Sequence, residues 1–240
     1  MYLLKRKFPG FFALFSGQPK KLFSSFLGNP ERMHQLLRKT LVITASLAFA
    51  SFTAGSAFGQ AAKAEAQPPE FDVIPSPIIN SGKAKDFKPK DWLEVEAKLK
   101  VQLAPEPASK TCDRLTVKWY VAVKNPDKPG TFLLLTKDIE HVNVPLNEEI
   151  YSSVYLSPAS LKRITGSENA GKNAVEYVGL EVLVNGERVA AQTNKGKLGW
   201  WAAASDKISR SETVPLLTKA ETPFSILWWD RYAEVAPATR

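Results

Sequence analysis

The feature that most constrains the fold is the alternation of apolar and polar residues across positions 92–103, WLEVEAKLKVQL. Successive side chains of a β-strand point to opposite faces of the sheet, so this period of two predicts a strand with one buried and one wet face. The predicted buried face carries Leu93, Val95, Ala97, Leu99, Val101 and Leu103, and the predicted wet face carries Glu94, Glu96, Lys98 and Lys100.

The same alternation recurs along the chain. The stretch 114–125, RLTVKWYVAVKN, repeats it and places Trp119 where sandwich folds often bury a tryptophan. Further strands are predicted within 131–145, 148–158 and 213–229. Ser157 is placed to cap a short helix that ends at Gly166. Asn185-Gly186 predicts a two-residue hairpin turn, because both residues tolerate the positive φ of a type I′ turn.

Seven or eight predicted strands and one short helix indicate an all-β domain over residues 88–240. We expect an antiparallel immunoglobulin-like β-sandwich, with a small β-barrel as the alternative. Residues 60–87 are rich in Ala, Pro and Lys, and they are interpreted as a flexible linker in which an edge strand could form near 71–79.

Residues 1–59 have the pattern of an upstream extension followed by a Sec-type signal peptide. Arg38 and Lys39 precede an apolar run at 41–52, and small residues lead to a cleavage site expected before Gln60. The mature protein is therefore expected to be exported to the periplasm, cell surface or medium, with no stable membrane span after cleavage.

The net charge of +8 is concentrated in the same segment. Residues 1–59 hold eight basic and one acidic residue, which leaves 24 basic and 23 acidic residues for 60–240. A domain with a net charge of +1 lacks the electrostatic footprint of a nucleic-acid-binding protein, so no nucleic-acid partner is expected.

Candidates for catalysis and metal binding are scarce. After position 60 the single histidine is His141, which is interpreted as an exposed strand residue, and the single cysteine, Cys112, is expected to be buried. The carboxylate pair Glu148-Glu149 is interpreted as a solvated turn. We predict a non-enzymatic protein with no cofactor and no metal.

Four of the six tryptophans form two adjacent pairs, Trp200-Trp201 and Trp228-Trp229. In a strand, each pair would place one ring in the core and the other outside. The outer rings suggest either a protein interface, with Arg231 and Tyr232 beside the second pair, or a sugar-stacking platform. The expected interface candidates are Trp228, Trp229, Arg231, Tyr232, Trp200 and Trp201.

The C-terminal stretch TPFSILWWDRYAEV, together with the signal, the Pro-rich segment and the β-rich body, resembles a verrucomicrobial family of exported pilus-like proteins. That resemblance covers roughly residues 90–235 and is most specific at 228–234. It implies an immunoglobulin-like fold and an association with type IV pilus gene clusters. The long assembly helix of conventional pilins is absent from the sequence pattern.

These observations predict a pilus-like or cell-envelope protein that acts through contacts with a protein partner or with itself. The alternative is a secreted carbohydrate-binding module that uses exposed tryptophans.

Overall fold

The computed structural model describes residues 60–78, 87–167 and 171–237. The chain divides into the units Met1–Phe58 and Gly59–Arg240, and the described residues belong to the second. The predicted extension and signal peptide, residues 1–59, lie outside the described residues.

The described residues form ten strands and one α-helix. In chain order these are β1 (Ala61–Ala66), β2 (Glu70–Pro75), β3 (Asp91–Ala104), β4 (Thr111–Lys124), β5 (Phe132–Pro145), β6 (Glu149–Leu156), α1 (Pro158–Thr165), β7 (Val175–Val184), β8 (Glu187–Thr193), β9 (Ile208–Arg210) and β10 (Leu217–Thr218). The expected seven or eight strands omitted two short ones, β1 and β9, whose pairing depends on distant parts of the chain.

The strands make two sheets that pack face to face. Sheet A has the order β1-β3-β6-β10, and β2 pairs with β3 on the same edge as β1. Sheet B has the order β8-β7-β4-β5-β9. All pairs are antiparallel except β5 with β9. The predicted all-β class is therefore confirmed, with two sheets and one helix.

The core lies between the two sheets and follows the period of two in the sequence. Every second residue of β3 from Leu93 to Val101 is buried, and so is every second residue of β4 from Leu115 to Val123. Trp119 is fully buried, as predicted, and its indole Nε1 donates a hydrogen bond to Ser152 Oγ over 3.3 Å. Cys112 is a buried free cysteine, as expected.

The local signals for the helix and the hairpin are confirmed. Ser157 Oγ accepts a hydrogen bond from Ser160 N at the start of α1, and Gly166 ends the helix with a φ of 72°. Asn185 and Gly186 have φ values of 52° and 84° between β7 and β8. The helix needs a capping side chain and the hairpin turn needs two residues that accept a positive φ. A few neighbouring residues supply each of these without help from the rest of the chain.

The interpretation of residues 60–87 as a flexible linker was wrong at β1, whereas the edge strand expected near 71–79 forms as β2. β1 pairs with β3 from Ala61↔Ala104 to Ala66↔Leu99, and β2 pairs with β3 from Glu70↔Glu96 to Pro75↔Asp91. The proline-rich composition was misleading, because a strand at the edge of a sheet tolerates proline where no backbone N–H has to bond to a neighbouring strand. Residues 79–86 lie outside the described residues.

The predicted last strand over 213–229 is also largely wrong. Only Leu217–Thr218 pairs as a strand, and 3-10 turns occupy Lys219–Glu221 and Trp229–Arg231. Trp200–Ala202 is likewise a 3-10 turn, so neither tryptophan pair lies in a strand. Among the described residues, no helix has the length and apolar character needed to cross a membrane.

Candidate functional site

The candidate site is built by the C-terminal segment, residues 219–236, which crosses the outer face of sheet A. It is tied to sheet A by a bridge between Tyr232 and Tyr151 and to sheet B by a bridge between Val235 and His141. Two backbone hydrogen bonds, Val142 N to Glu234 O and Ala236 N to Glu140 O, reinforce the second attachment. The segment therefore spans the open side between β5 and β6.

Under this segment lies a polar network on the face of β3 that was predicted to be wet. Tyr155 donates a hydrogen bond of 2.6 Å to Glu94, and the Tyr232 hydroxyl donates to both Glu94 and Glu96. Arg231 pairs with Glu96 and lies over the ring of Tyr151, 3.7 Å from its centroid. Burial raises the pKa of Glu94, although the hydrogen bond from Tyr155 opposes that shift.

Lys219 is the first residue of the segment and is buried although it carries an amino group. Its Nζ donates to the carbonyl oxygen of Leu227 and lies 4.8 Å from the ring centroid of Tyr232 and 6.0 Å from that of Trp229. Burial lowers the pKa of Lys219, and the charge of Glu94 opposes the shift. Lys219 thus fastens the chain at Leu227, just before the second tryptophan pair.

A stack of aromatic rings supports the same loop. Phe224 is buried and stacks on Tyr155 with 5.5 Å between ring centroids, and Trp92 meets its edge at 5.7 Å. Trp228 stacks on the other side of Phe224 at 6.4 Å. We call residues 223–231 the tryptophan loop, and its base is this stack together with Lys219.

The tryptophan loop presents three large apolar side chains to solvent. Ile226 is 64% exposed, Trp228 is 53% exposed and Trp229 is 68% exposed. The expectation of one core ring and one outer ring is wrong here, because Trp228 and Trp229 follow one another in a turn and not in a strand. Trp228 has a φ of 51°, a left-handed conformation that is unfavourable for a bulky residue.

The first tryptophan pair has a different role. Trp201 is buried on the outer face of sheet B, where it stacks on Tyr120 with 4.9 Å between centroids and an interplanar angle of 9°. Trp200 is half-buried and donates from Nε1 to Thr193 Oγ1 over 3.1 Å. Both rings hold the loop after β8 against the sheet.

Gly179 makes the position of Trp201 possible. A Cβ at residue 179 would lie 2.3 Å from the Trp201 ring, so the indole rests directly on the backbone of β7. A close approach of this kind is one of the reasons for a glycine inside a strand.

Arg231 and Tyr232 follow the exposed indoles in the sequence and are held on the outer face of sheet A. The Arg231 side chain is held by Glu96, and the Tyr232 hydroxyl is held by Glu94 and Glu96. Of the six candidate residues, Trp228 and Trp229 are therefore the two whose rings are most available to a ligand.

The interpretation of His141 as an exposed residue was wrong. It is 2% exposed and bridges the two sheets, with Nδ1 3.2 Å from Ala233 O and Nε2 3.0 Å from Ser152 Oγ. Burial lowers the pKa of His141 to about 4. The signal was present in the sequence, because Ile139 and His141 are two residues apart and therefore share a strand face.

The sequence interpretation also missed Glu94, Glu96, Tyr155 and Lys219 as parts of a covered network. A usable signal lay in β6, where Tyr151 and Tyr155 fall on the face that β3 marks as wet. Two large aromatic residues on such a face indicate that another segment covers it.

Within residues 60–78, 87–167 and 171–237, no group of three or more His, Cys, Asp or Glu side chains could hold a metal ion. Over the same residues, each buried side-chain nitrogen or oxygen has a hydrogen-bond partner.

Comparison with known proteins places the chain in a family. A protein-family model matches residues 55–239, which cover β1 to β10 and the tryptophan loop. The chain belongs to that family. The match begins before β1, so the stretch expected to be a linker is part of the family domain.

A solved structure agrees with this assignment. A crystal structure of a protein from Akkermansia muciniphila is 38% identical, with a TM-score of 0.70, and the match covers 75% of this chain and 96% of that one. The bacterial group is the one expected from the sequence resemblance. No curated protein matches the chain.

Proposed function

We propose that this chain is an exported, non-catalytic protein of the cell envelope, pilus-like in its assembly, that acts through protein contacts made by the tryptophan loop. The observation that carries the proposal is the exposure of Trp228 and Trp229 on a base that is itself buried and hydrogen-bonded. The partner is another envelope protein or a second copy of the chain.

The energetics of the loop favour a binding role. Leaving a large apolar side chain exposed forgoes roughly 1.5–3 kcal/mol of burial. Residues with backbone strain such as that of Trp228 persist where the surroundings over-determine them, and they are concentrated at ligand-binding positions. Phe224, Lys219 and Arg231 hold the loop in one conformation, so a partner would bind with little loss of conformational entropy.

Strand order supports the finer assignment of an immunoglobulin-like fold. If β1 and β2 together correspond to strand A, then β3, β4, β6, β7 and β8 correspond to strands B, C, E, F and G. The pairings A-B-E and G-F-C are those of an immunoglobulin domain, and Trp119 lies on strand C. Extracellular interaction domains commonly use this sandwich.

Export is proposed from the sequence pattern of residues 33–59. N-terminal sequencing of the protein from the periplasm or culture medium should give Gln60 as the first residue. A mature chain that starts well before Gln60 would contradict the proposed cleavage.

Alanine substitutions test the role of the loop. Trp228→Ala and Trp229→Ala should leave the denaturant midpoint nearly unchanged, because both rings are more than half exposed. They should also abolish self-association in analytical ultracentrifugation or the binding of envelope proteins in quantitative pull-downs. Phe87→Ala is the matched control, since Phe87 is an aromatic residue that is 51% exposed elsewhere in the domain.

The outcomes separate the competing interpretations. Unfolding of both variants would mean that the indoles are structural, and unchanged binding by both would place the interface elsewhere. Quenching or a shift of tryptophan fluorescence with polysaccharide, lost in the same variants, would favour the carbohydrate-binding alternative.

A further inference from the structure

The N-terminal strand β1 covers its edge of the sandwich with unusually small side chains. Its sequence is AAKAEA, and only Ala62, Ala64 and Ala66 face the core. Alanine buries a single methyl group and is depleted in β-strands, whereas ordering six residues carries the full backbone entropy cost. β1 therefore depends mainly on its backbone ladder with β3.

The outer face of β1 adds little to its attachment. Lys63 and Glu65 form an ion pair with each other at 3.8 Å, and their side chains are 71% and 62% exposed. That pair lies within the strand and would move with it. An exposed ion pair of this kind contributes little even where it does join two elements.

β2 is attached much more firmly, although it pairs with the same edge of β3. Phe71 and Val73 pack against the core, and Asp72 pairs with Lys172 at 3.1 Å. Beyond β2, Ser76 N donates to Lys90 O over 2.9 Å and the Trp92 indole donates to Ser76 Oγ over 3.1 Å.

Two prolines separate the weak strand from the firm one. Pro68 and Pro69 have no backbone N–H, so they cannot continue the hydrogen-bond ladder with β3. The register also changes here, because the three residues 67–69 lie opposite only two residues of β3, 97 and 98. Pro68 is exposed and Pro69 is buried. β1 can consequently leave β3 as a unit while β2 stays in place.

The edge that β1 covers needs a strand. Without β1, the backbone groups of Leu99–Ala104 and the side chains of Val101 and Leu103 would be uncovered beside Val189 and Ala190 of β8, which also pack on the core. An uncovered edge of this length is a template for another strand. A second copy of the chain supplies one that fits in register and in side-chain volume.

We propose that β1 is an exchangeable strand, and that residues 60–66 of one copy pair with the edge Leu99–Ala104 of another. This inference uses the edge of sheet A away from the tryptophan loop and does not rest on the proposed function of that loop. Within one chain β1 rebinds at an effective concentration of about a millimolar, so exchange is favoured where copies are concentrated, as in an assembly.

Disulfide trapping between two differently tagged chains tests the exchange. Lys63 lies directly opposite Gln102 in the β1–β3 register, and neither side chain is in the core. A Lys63→Cys chain mixed with a Gln102→Cys chain under mild oxidation should form a covalent heterodimer. The disulfide should map to positions 63 and 102, because neither chain can make that bond alone.

Two controls make the result decisive. Lys63→Cys mixed with Lys128→Cys, in the exposed turn between β4 and β5, measures collisional disulfides and any contribution of Cys112. A chain that carries both Lys63→Cys and Gln102→Cys should form the 63–102 disulfide within itself, remain folded and give no covalent dimer. A heterodimer yield that is no higher than in the Lys128→Cys mixture would overturn the proposal.

Discussion

At the scale of single residues, His141 joins the two sheets through one consistent set of hydrogen bonds. Ala233 O can only accept, so Nδ1 of His141 carries the proton and donates to it. Nε2 then accepts from the Ser152 hydroxyl, whose oxygen accepts from the Trp119 indole. The set is complete with a neutral imidazole, and protonation of Nε2 would place a second donor against Ser152.

This arrangement predicts a loss of stability at mildly acidic pH. The pKa of His141 is about 4 in the folded protein against about 6.5 in the unfolded chain, so below pH 6.5 the unfolded chain binds more protons. The free energy of unfolding should fall by about 2 kcal/mol between pH 7.5 and pH 5 from this group alone. Urea midpoints across that range measure the effect.

His141→Gln is the control for this prediction, because an amide can donate and accept in the same place but does not titrate. Between pH 7.5 and pH 5, the free energy of unfolding of the His141→Gln variant should fall by about 2 kcal/mol less than that of the unsubstituted protein. The titration of Glu94 has the opposite effect on stability. Burial raises the pKa of Glu94, so its contribution to the free energy of unfolding decreases as pH rises through the raised value. An equal pH slope in both proteins would show that His141 is not the titrating group.

The contact between Gly179 and Trp201 gives a second prediction at this scale. Gly179→Ala should cost about 1–3 kcal/mol, because the added methyl group must displace the Trp201 ring. In a Trp201→Ala background the same substitution should cost almost nothing. Urea unfolding of the four proteins forms a double-mutant cycle. Equal costs in the two backgrounds would mean that Trp201 is not the obstacle.

At the scale of elements, the β7–β8 hairpin can be tested through its turn. Gly186 has a φ of 84° and open space around the position of a Cβ, so the cost of a side chain there comes from the backbone alone. Gly186→Val should lower stability by about 1 kcal/mol or more, because a β-branched residue disfavours positive φ. The urea midpoint measures the loss.

Gly171 provides a matched control for the hairpin. It is also exposed, its nearest heavy atom to an added Cβ is 4.0 Å away, and its φ is −87°. Gly171→Val should therefore be nearly neutral. A similar loss at both glycines would point to side-chain effects and away from the turn.

At the scale of the whole molecule, the C-terminal segment completes the sandwich. It covers the outer face of β3 and β6 and runs along the side between β5 and β6. Long edges and buried carboxylates without partners are both unfavourable, and this single segment removes both problems.

A truncation tests that role. A chain that ends at Leu216 loses β10, the contacts of Tyr232 and Arg231 with Glu94 and Glu96, and the ring of Phe224 that stacks on Tyr155. Its free energy of unfolding should therefore fall by at least about 3 kcal/mol. Self-association through the uncovered edges should rise. A chain that ends at Pro237 keeps all of these contacts and is the control. Equal midpoints for the two truncated chains would refute the closing role.

Much of the framework could be predicted from the sequence because its signals are local. The period of two in β3 and β4 identified the core faces, Ser157 and Gly166 marked the ends of α1, and Asn185-Gly186 marked a turn. Each of these depends on residues a few positions apart, and on conformational preferences that hold in any surroundings.

Only the tertiary structure decided which tryptophans are buried and which polar face is covered. Trp201 is buried because Gly179 and Tyr120 form a flat site for it, whereas Trp228 stays exposed because Phe224 occupies the site beneath it. The network on β3 joins Glu94 to residues 61 and 138 positions away. No local pattern specifies such pairings, because they depend on where the chain returns after closing long loops.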